Sequence, residues 1–314
     1  MILLFNSDLT GMPWKKMEES PAGNEAPEAI GYFLHHGGEK ITQTVSILSP
    51  KDISKLPETI KYLPEHNDLT IKTIKSCILK YPQSKHVLFC DTAFFSDMPL
   101  KAATYAIPYK LRKKGIKKFG GYGLCHQWAY EKAQKLSRKK LEKVLSVYLG
   151  NYTNIAAIKN GEPLETSVGF TSVEGIPSST SCGDIDPTIL FQLNSAGMSF
   201  KEVNQLLSEK SGLTGLAAWP AGKKCSYLDV IGDKKLSDIK DFFIYNIMKY
   251  IGAFISVNGG VDAVIFESEH IKESKGIINE LCGRLEFLGV KKRDVFRFEY
   301  IRWNVMLEKI KNLI

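Results

Sequence analysis

The sequence predicts an α/β protein whose sheets mix parallel and antiparallel strands. Short apolar runs that read as buried strands alternate with longer stretches carrying apolar residues at helical spacing. The pair Asn160-Gly161 sits between two apolar runs, and Asn-Gly favours a two-residue hairpin because both turn residues must take positive φ. A hairpin breaks any simple succession of parallel βαβ units. The 314 residues give roughly two domains at about 100–200 residues each. No period of about 20–50 residues repeats along the chain.

Taken in order, Met1–Asn6 is an apolar run and a first strand, and Ser7–Pro27, with three prolines and two glycines, reads as loop. Ile30–Leu34 and Ile41–Leu48 read as strands around Gly37-Gly38. Pro50–Lys61 and Leu69–Lys80 read as helices. Val87–Cys90 is a buried strand that places Asp91 at its carboxyl end. Lysines and leucines at helical spacing predict an amphipathic helix over Ala129–Val144. Ser146–Leu149 is a strand leading to Gly150-Asn151, and Ile155–Ile158 with Leu164–Ser167 forms the hairpin. Pro187–Ala196, Ser199–Ser208 and Ser237–Ile255 are helical, Val261–Phe266 is a buried strand, and Lys272–Leu288 and Asn304–Leu313 are helices.

Composition excludes several classes. Hydrophobic residues at 44% and charged residues at 24% fit a globular chain, not a disordered one. The most apolar stretch, Phe242–Val257, is broken by Asn246 and Lys249 and is too short to span a bilayer, which takes about 20 residues. The first residues carry no basic region and reach Asp8 too early for a signal peptide. Six dispersed cysteines with no Cys-x-x-Cys pair point to free thiols in the cytoplasm rather than to disulfides or zinc. The net charge of +8 comes from lysines scattered among acids, with only six arginines. That pattern reads as a solvated surface, not a nucleic-acid site.

Several segments, in this order, resemble the acetate kinase family. They are His36-Gly37-Gly38-Glu39, His66-Asn67, Asp91-Thr92-Ala93-Phe94, Tyr105-Ala106-Ile107-Pro108-Tyr109, Leu149-Gly150-Asn151, Thr166-Ser167-Val168-Gly169-Phe170-Thr171, Gly183-Asp184-Ile185-Asp186-Pro187 and Gly259-Gly260-Val261-Asp262-Ala263. The resemblance covers roughly residues 30–290. It implies a two-domain actin-like fold of the sugar kinase, Hsp70 and actin superfamily, with mixed sheets flanked by helices. A shortened first domain would take residues 1–95 plus 300–314, with a returning C-terminal helix, and a second would take residues 96–299. The family reaction moves a phosphoryl group between ATP and a short carboxylate, with Mg²⁺, usually in a homodimer.

Carried over by position, the resemblance places Asp91 at the active-site aspartate and His126 at the last histidine of the family's Gly-Phe-His-Gly-Thr-Ser-His run, here Gly120-Gly121-Tyr122-Gly123-Leu124-Cys125-His126. It places Asn6, Gly150, Asn151 and Lys224 at nucleotide or phosphate contacts, and His35, Glu65, Gly121 and Ser172 around the acyl pocket. No metal ligand is assigned. The chain also departs from the family pattern. Phe33 and Ser181 stand at the two arginine positions and Tyr122 at a catalytic histidine. Ile271 replaces a glycine of the nucleotide loop, Tyr152 crowds the Gly150-Asn151 turn, and Ile301-Arg302-Trp303 replaces an acidic metal-binding pair. The family's Gly-Ser-Ser-Ser turn after the first strand is absent from Ser7–Pro13.

Arginine grips phosphate and carboxylate oxygens through a planar fork, and one phosphate-directed arginine is worth about 10³–10⁵ in rate. The sequence therefore predicts a weak or inactive acetate kinase, a pseudoenzyme toward acetate. One alternative is a phosphotransferase acting on a more polar carboxylate or phosphorylated metabolite. The other is a non-catalytic subunit, as a homodimer or partnered with an intact homologue.

Overall fold

The computed structural model describes residues 1–7, 14–16, 26–220 and 222–314, with residues 14–16 as backbone only and without the side chain of Glu65. The part of the predicted N-terminal loop and turn at 8–13 lies outside the described residues, as do 17–25. The chain divides into two compact units. Unit 1 holds Met1–Asp97, Gly121–Trp128 and Ile301–Ile314, and unit 2 holds Met98–Gly120 and Ala129–Tyr300.

Unit 1 carries a five-stranded sheet of β1 (Ile2–Asn6), β2 (Trp14–Lys16), β3 (Ala29–Leu34), β4 (Val45–Ile47) and β5 (Lys85–Cys90), in the order β2-β1-β3-β5-β4. β1, β3 and β5 run parallel, while β2 and β4 pair antiparallel on the two edges. The central strands are apolar because both faces are covered. Phe5, Ile30, Tyr32, Leu34, Leu88 and Cys90 pack with Ile71, Ile74 and Cys77 of the Pro64–Lys80 helix.

Unit 2 carries β6 (Lys143–Tyr148), β7 (Asn154–Lys159), β8 (Glu162–Thr166), β9 (Ala263–Ser268) and β10 (Val295–Glu299), in the order β10-β9-β6-β7-β8. β6, β9 and β10 are parallel, and β7 and β8 join antiparallel. Asn160 and Gly161 take φ of 53° and 91° in the β7–β8 turn, so the hairpin expectation holds. The core sits between β6, β7 and β9 and two helices, with Phe243, Ile244, Ile247 and Ile251 from Ser237–Asn258 and Ile277, Ile278 and Leu281 from Lys275–Leu285. No helix among the described residues is long and apolar enough to cross a membrane.

Several element boundaries differ from the sequence reading. The helix predicted over Ala129–Val144 runs instead over Gly123–Leu136, and Lys143 already belongs to β6. The Gln134 side chain accepts the N–H of Leu141 and donates to the carbonyl of Lys139, which folds the polar Ser137–Lys140 stretch back on the helix end. The Pro50–Lys61 helix is α-helical only to Lys55 and continues as a 3₁₀ turn over Leu56–Thr59, because Pro57 has no N–H to donate. The predicted Ile41–Leu48 strand contracts to β4, and β2 lies inside the stretch read as loop, where three residues are too few to show an alternation.

Candidate functional site

In unit 1 the parallel strands β1, β3 and β5 end side by side, with Asn6 opposite Phe33 and Leu34 opposite Cys90. Open α/β sheets bind ligands outside the carboxyl ends of such strands. Asn6 closes β1, His35 follows β3 and Asp91 follows β5, so the sheet gathers three of the sequence-predicted site residues at one edge.

Asp91 is only 8% exposed. Its Oδ2 accepts the backbone N–H of Tyr122 at 2.8 Å and its Oδ1 that of Leu124 at 3.4 Å. Burial pushes its carboxyl above the ordinary value, while the Arg302 guanidinium and the two N–H groups pull the other way. Tyr122 and Leu124 flank Gly123, where a Cβ would lie 2.2 Å from the Asp91 carbonyl oxygen, so the chain passes too close there for any other residue. Tyr122 itself holds φ at 58°, the left-handed region that a bulky residue rarely adopts. His126, one turn on, is wholly buried with its ring edge-on to Phe95, and its N–H donates to the Tyr122 carbonyl. Gly121 is half-buried beside Tyr122.

His35 Nε2 lies 3.1 Å from Asn6 Oδ1, which can only accept, so Nε2 carries the proton. The His35 ring packs against Phe33 at 4.9 Å and His66 at 4.8 Å. Burial, then the charges of Arg302 and His66, hold the His35 pKa well below the imidazole range, which keeps the ring neutral. The Arg302 guanidinium carbon stands 4.3 Å from the Phe33 ring centroid. Sequence reasoning noticed this arginine only as a lost acidic site and missed its place beside Asp91 and His35. The side chain of Glu65, assigned to the same pocket, lies outside the described residues.

The His36-Gly37-Gly38 turn is scaffolding. The Gly37 N–H donates to Thr92 Oγ1 at 2.9 Å, and His36 stacks on Tyr62 and accepts the Gly38 N–H. Burial pushes His36 down to about 4. Asn67 donates to the carbonyls of His36 and Thr59, which pins the turn to the neighbouring helix.

In unit 2, Gly150, Asn151 and Lys224 come into one neighbourhood. The Asn151 carbonyl accepts the Ser179 N–H at 2.8 Å, and Ser179 Oγ donates to the Cys225 carbonyl, next to the exposed Lys224. A Cβ on Gly150 would lie 2.5 Å from the Tyr148 ring, so a larger residue there would have to displace that ring. Ser181, at the second family arginine position, is 1% exposed, and its Oγ is buried with no hydrogen-bond partner. Ser172 is exposed.

Among the described residues, the unit 1 cluster does not fit a divalent metal ion. Both Asp91 oxygens already accept backbone N–H groups, and the charge that bears on Asp91 is a guanidinium, the wrong sign for Mg²⁺. No group of three His, Cys, Asp or Glu among the described residues is placed to hold a metal.

Two mixed sheets flanked by helices, with polar side chains at the carboxyl ends of the parallel strands, define an α/β protein of the actin-like class. Within that class the chain belongs to the acetokinase family, whose model matches residues 13–299. It is 36% identical over 265 residues to the acetate kinase of Carboxydothermus hydrogenoformans, covering 83% of this chain and 66% of the relative. It is 35% identical over 272 residues to that of Halothermothrix orenii, covering 85% and 68%. The chain thus spans about two thirds of the length of these curated relatives. The solved structure of Porphyromonas gingivalis acetate kinase superposes with a TM-score of 0.81 at 26% identity, over 91% of this chain and 78% of that one. A propionate kinase from Francisella tularensis gives 0.80 at 26%, over 92% and 80%.

Proposed function

We propose that this chain moves a phosphoryl group between a nucleotide and a small carboxylate more polar than acetate, and that its rate with acetate is far below that of an intact family member. In the forward direction a carboxylate oxygen attacks the terminal phosphorus and the bond to the departing nucleoside diphosphate oxygen breaks. Such a transfer leaves the protein little covalent work, so the rate rests on positioning and charge stabilisation.

The observation that carries the reading is the polar edge built by Asn6, His35 and Asp91 at the carboxyl ends of β1, β3 and β5. A neutral His35 suits a hydroxyl or a second polar group better than a methyl. Membership in the acetokinase family supports the reaction class. Phe33 is fully buried within β3 and Ser181 is turned inward, which supports a low rate with acetate.

The test is ATP formation from ADP and acetyl phosphate with magnesium, beside an intact acetate kinase as control. A panel of hydroxy- and dicarboxylates with ATP follows. Acetyl phosphate turnover is expected to fall more than about 10² below the control. Turnover within that factor, or polar carboxylates that work no better than acetate, would overturn the reading.

A further inference from the structure

Asp97 and Glu131 bound the longest stretch of the chain without an Asp or Glu, and six lysines and Arg112 fall inside it. All seven cations lie in the Met98–Gly120 part of unit 2. Lys118 is ion-paired with Glu165 and Glu174. Lys110, Lys113 and Lys114 are exposed, and among the described residues they make no ion pair. These three and Arg112 crowd one short turn of chain. The helix Tyr109–Arg112 is carried on by N–H bonds from Lys113 to Tyr109, Lys114 to Leu111 and Gly115 to Arg112. Lys110 therefore stands three and four residues from Lys113 and Lys114 along a helical turn, a spacing at which like charges repel. The same turn exposes apolar surface. Tyr109 and Leu111 are 61% and 39% exposed. The Lys113 ammonium lies 4.8 Å from the Tyr109 ring centroid and the Arg112 guanidinium carbon 5.5 Å from it.

We propose that the Tyr109–Gly115 turn is a docking surface for an anionic lipid bilayer. The lysines meet the headgroup charge, and Tyr109 and Leu111 enter the boundary between headgroups and acyl chains. Lysines with no acid among them set no register of opposite charges, which suits a fluid surface better than one folded partner. A nucleic acid offers no apolar layer to Leu111. Bidentate recognition of phosphate also calls for arginine, and the turn has one. The contact is peripheral and reversible. It stands apart from the transfer reaction, since none of its residues belongs to the polar edge of unit 1.

The experiment sediments the full chain with vesicles of phosphatidylcholine alone and of phosphatidylcholine mixed with phosphatidylserine, at low and at physiological salt. The proteins are wild type, Lys110→Gln/Lys113→Gln/Lys114→Gln, Leu111→Gln and a control, Lys72→Gln/Lys140→Gln/Lys240→Gln. The control removes the same net charge from ion-paired positions. Each is checked for folding by circular dichroism. Wild type is expected to bind the phosphatidylserine vesicles and not the neutral ones, more weakly as salt rises. The triple variant in the turn should bind them about 10²-fold more weakly, and the control close to wild type. Leu111→Gln should bind about tenfold more weakly. A wild type that sediments with neither vesicle overturns the proposal. So does an equal loss in the two triple variants, which would assign the attraction to net charge alone. A Leu111→Gln chain that binds as wild type does also overturns it, because the apolar contact is what singles out lipid among anionic partners. Wild type that binds single-stranded RNA or polyglutamate but no vesicle hands the turn to another class of partner and sinks the lipid assignment.

Discussion

The carboxylate of Asp91 accepts the backbone N–H of Tyr122 at 2.8 Å, and Tyr122 is a bulky residue held at φ 58°. A left-handed conformation at such a residue costs about 1–3 kcal/mol and persists only where the surroundings over-determine it. Asp91 supplies part of that constraint through both oxygens. Asp91→Asn keeps the shape but turns one acceptor into a donor. Its amide nitrogen cannot accept an N–H, so one of Tyr122 and Leu124 loses its partner. The variant is expected to lose about 1–3 kcal/mol of stability. Hydrogen exchange should speed up at the Tyr122 or Leu124 amide ahead of the rest of the helix. Unchanged exchange at both amides would show that the turn holds without the carboxylate.

Gly123 and Gly252 give a paired test of space. Both lie in helices, where alanine is ordinarily better by about 1 kcal/mol. A Cβ at Gly252 meets nothing within 4 Å, so Gly252→Ala is expected to stabilise by roughly that amount. A Cβ at Gly123 would stand 2.2 Å from the Asp91 carbonyl oxygen and 2.6 Å from Phe94 Cβ. Gly123→Ala must therefore push the helix start away from β5, at about 1–3 kcal/mol. Denaturant titration of the two variants should give shifts of opposite sign. Equal shifts would mean that the close approach at Gly123 relaxes freely.

Much of this was legible in the sequence where the signal is local. β5 and β9 show as apolar runs bounded by polar residues, and Asn160-Gly161 specifies its turn by chemistry alone. Asp91 could be placed at the end of β5 because the run before it is unambiguous. The Gly123–Leu136 helix was displaced because its first turn, Gly123-Leu124-Cys125-His126, has weak helix propensity and is set by the fit against Asp91. Arg302 carried no local signal. Its meeting with Phe33 joins the last helix to the third strand, and only folding brings residues so far apart in the chain within 4.3 Å.

Tyr105 ties the loop before Glu174 to the Leu100–Ala103 helix region within unit 2. Its hydroxyl donates to Glu174 and accepts the Phe170 N–H at 2.7 Å. Burial and the neighbouring carboxylate push the phenol far above its ordinary range, so it stays a donor at any working pH. Tyr105→Phe removes both bonds at once. Phe170 is partly exposed, and water can replace one of them, so the global cost is expected near 1 kcal/mol. The local effect is larger: the Phe170 amide should exchange markedly faster while the β6–β7 amides do not change. A uniform change across the sheet would show that the tie is not local.

Glu267 places a carboxyl group in the core of unit 2. It is wholly buried in β9, where Oε1 accepts Ser146 Oγ at 2.6 Å and Oε2 has no partner. Burial pushes its carboxyl from 4.5 up to about 8. In the unfolded chain the same group ionises near 4.5, so between 4.5 and about 8 the folded state holds a proton that the unfolded state has released. Stability then falls as pH rises through that window. Glu267→Gln cannot ionise, and its carbonyl still accepts from Ser146. Denaturant titrations at pH 5 and pH 8.5 should therefore show the variant gaining on wild type as pH rises, with the two closest near pH 5. A stability difference that stays constant across this range would mean that Glu267 ionises at its ordinary pKa, and that a charge is tolerated between β6 and β9.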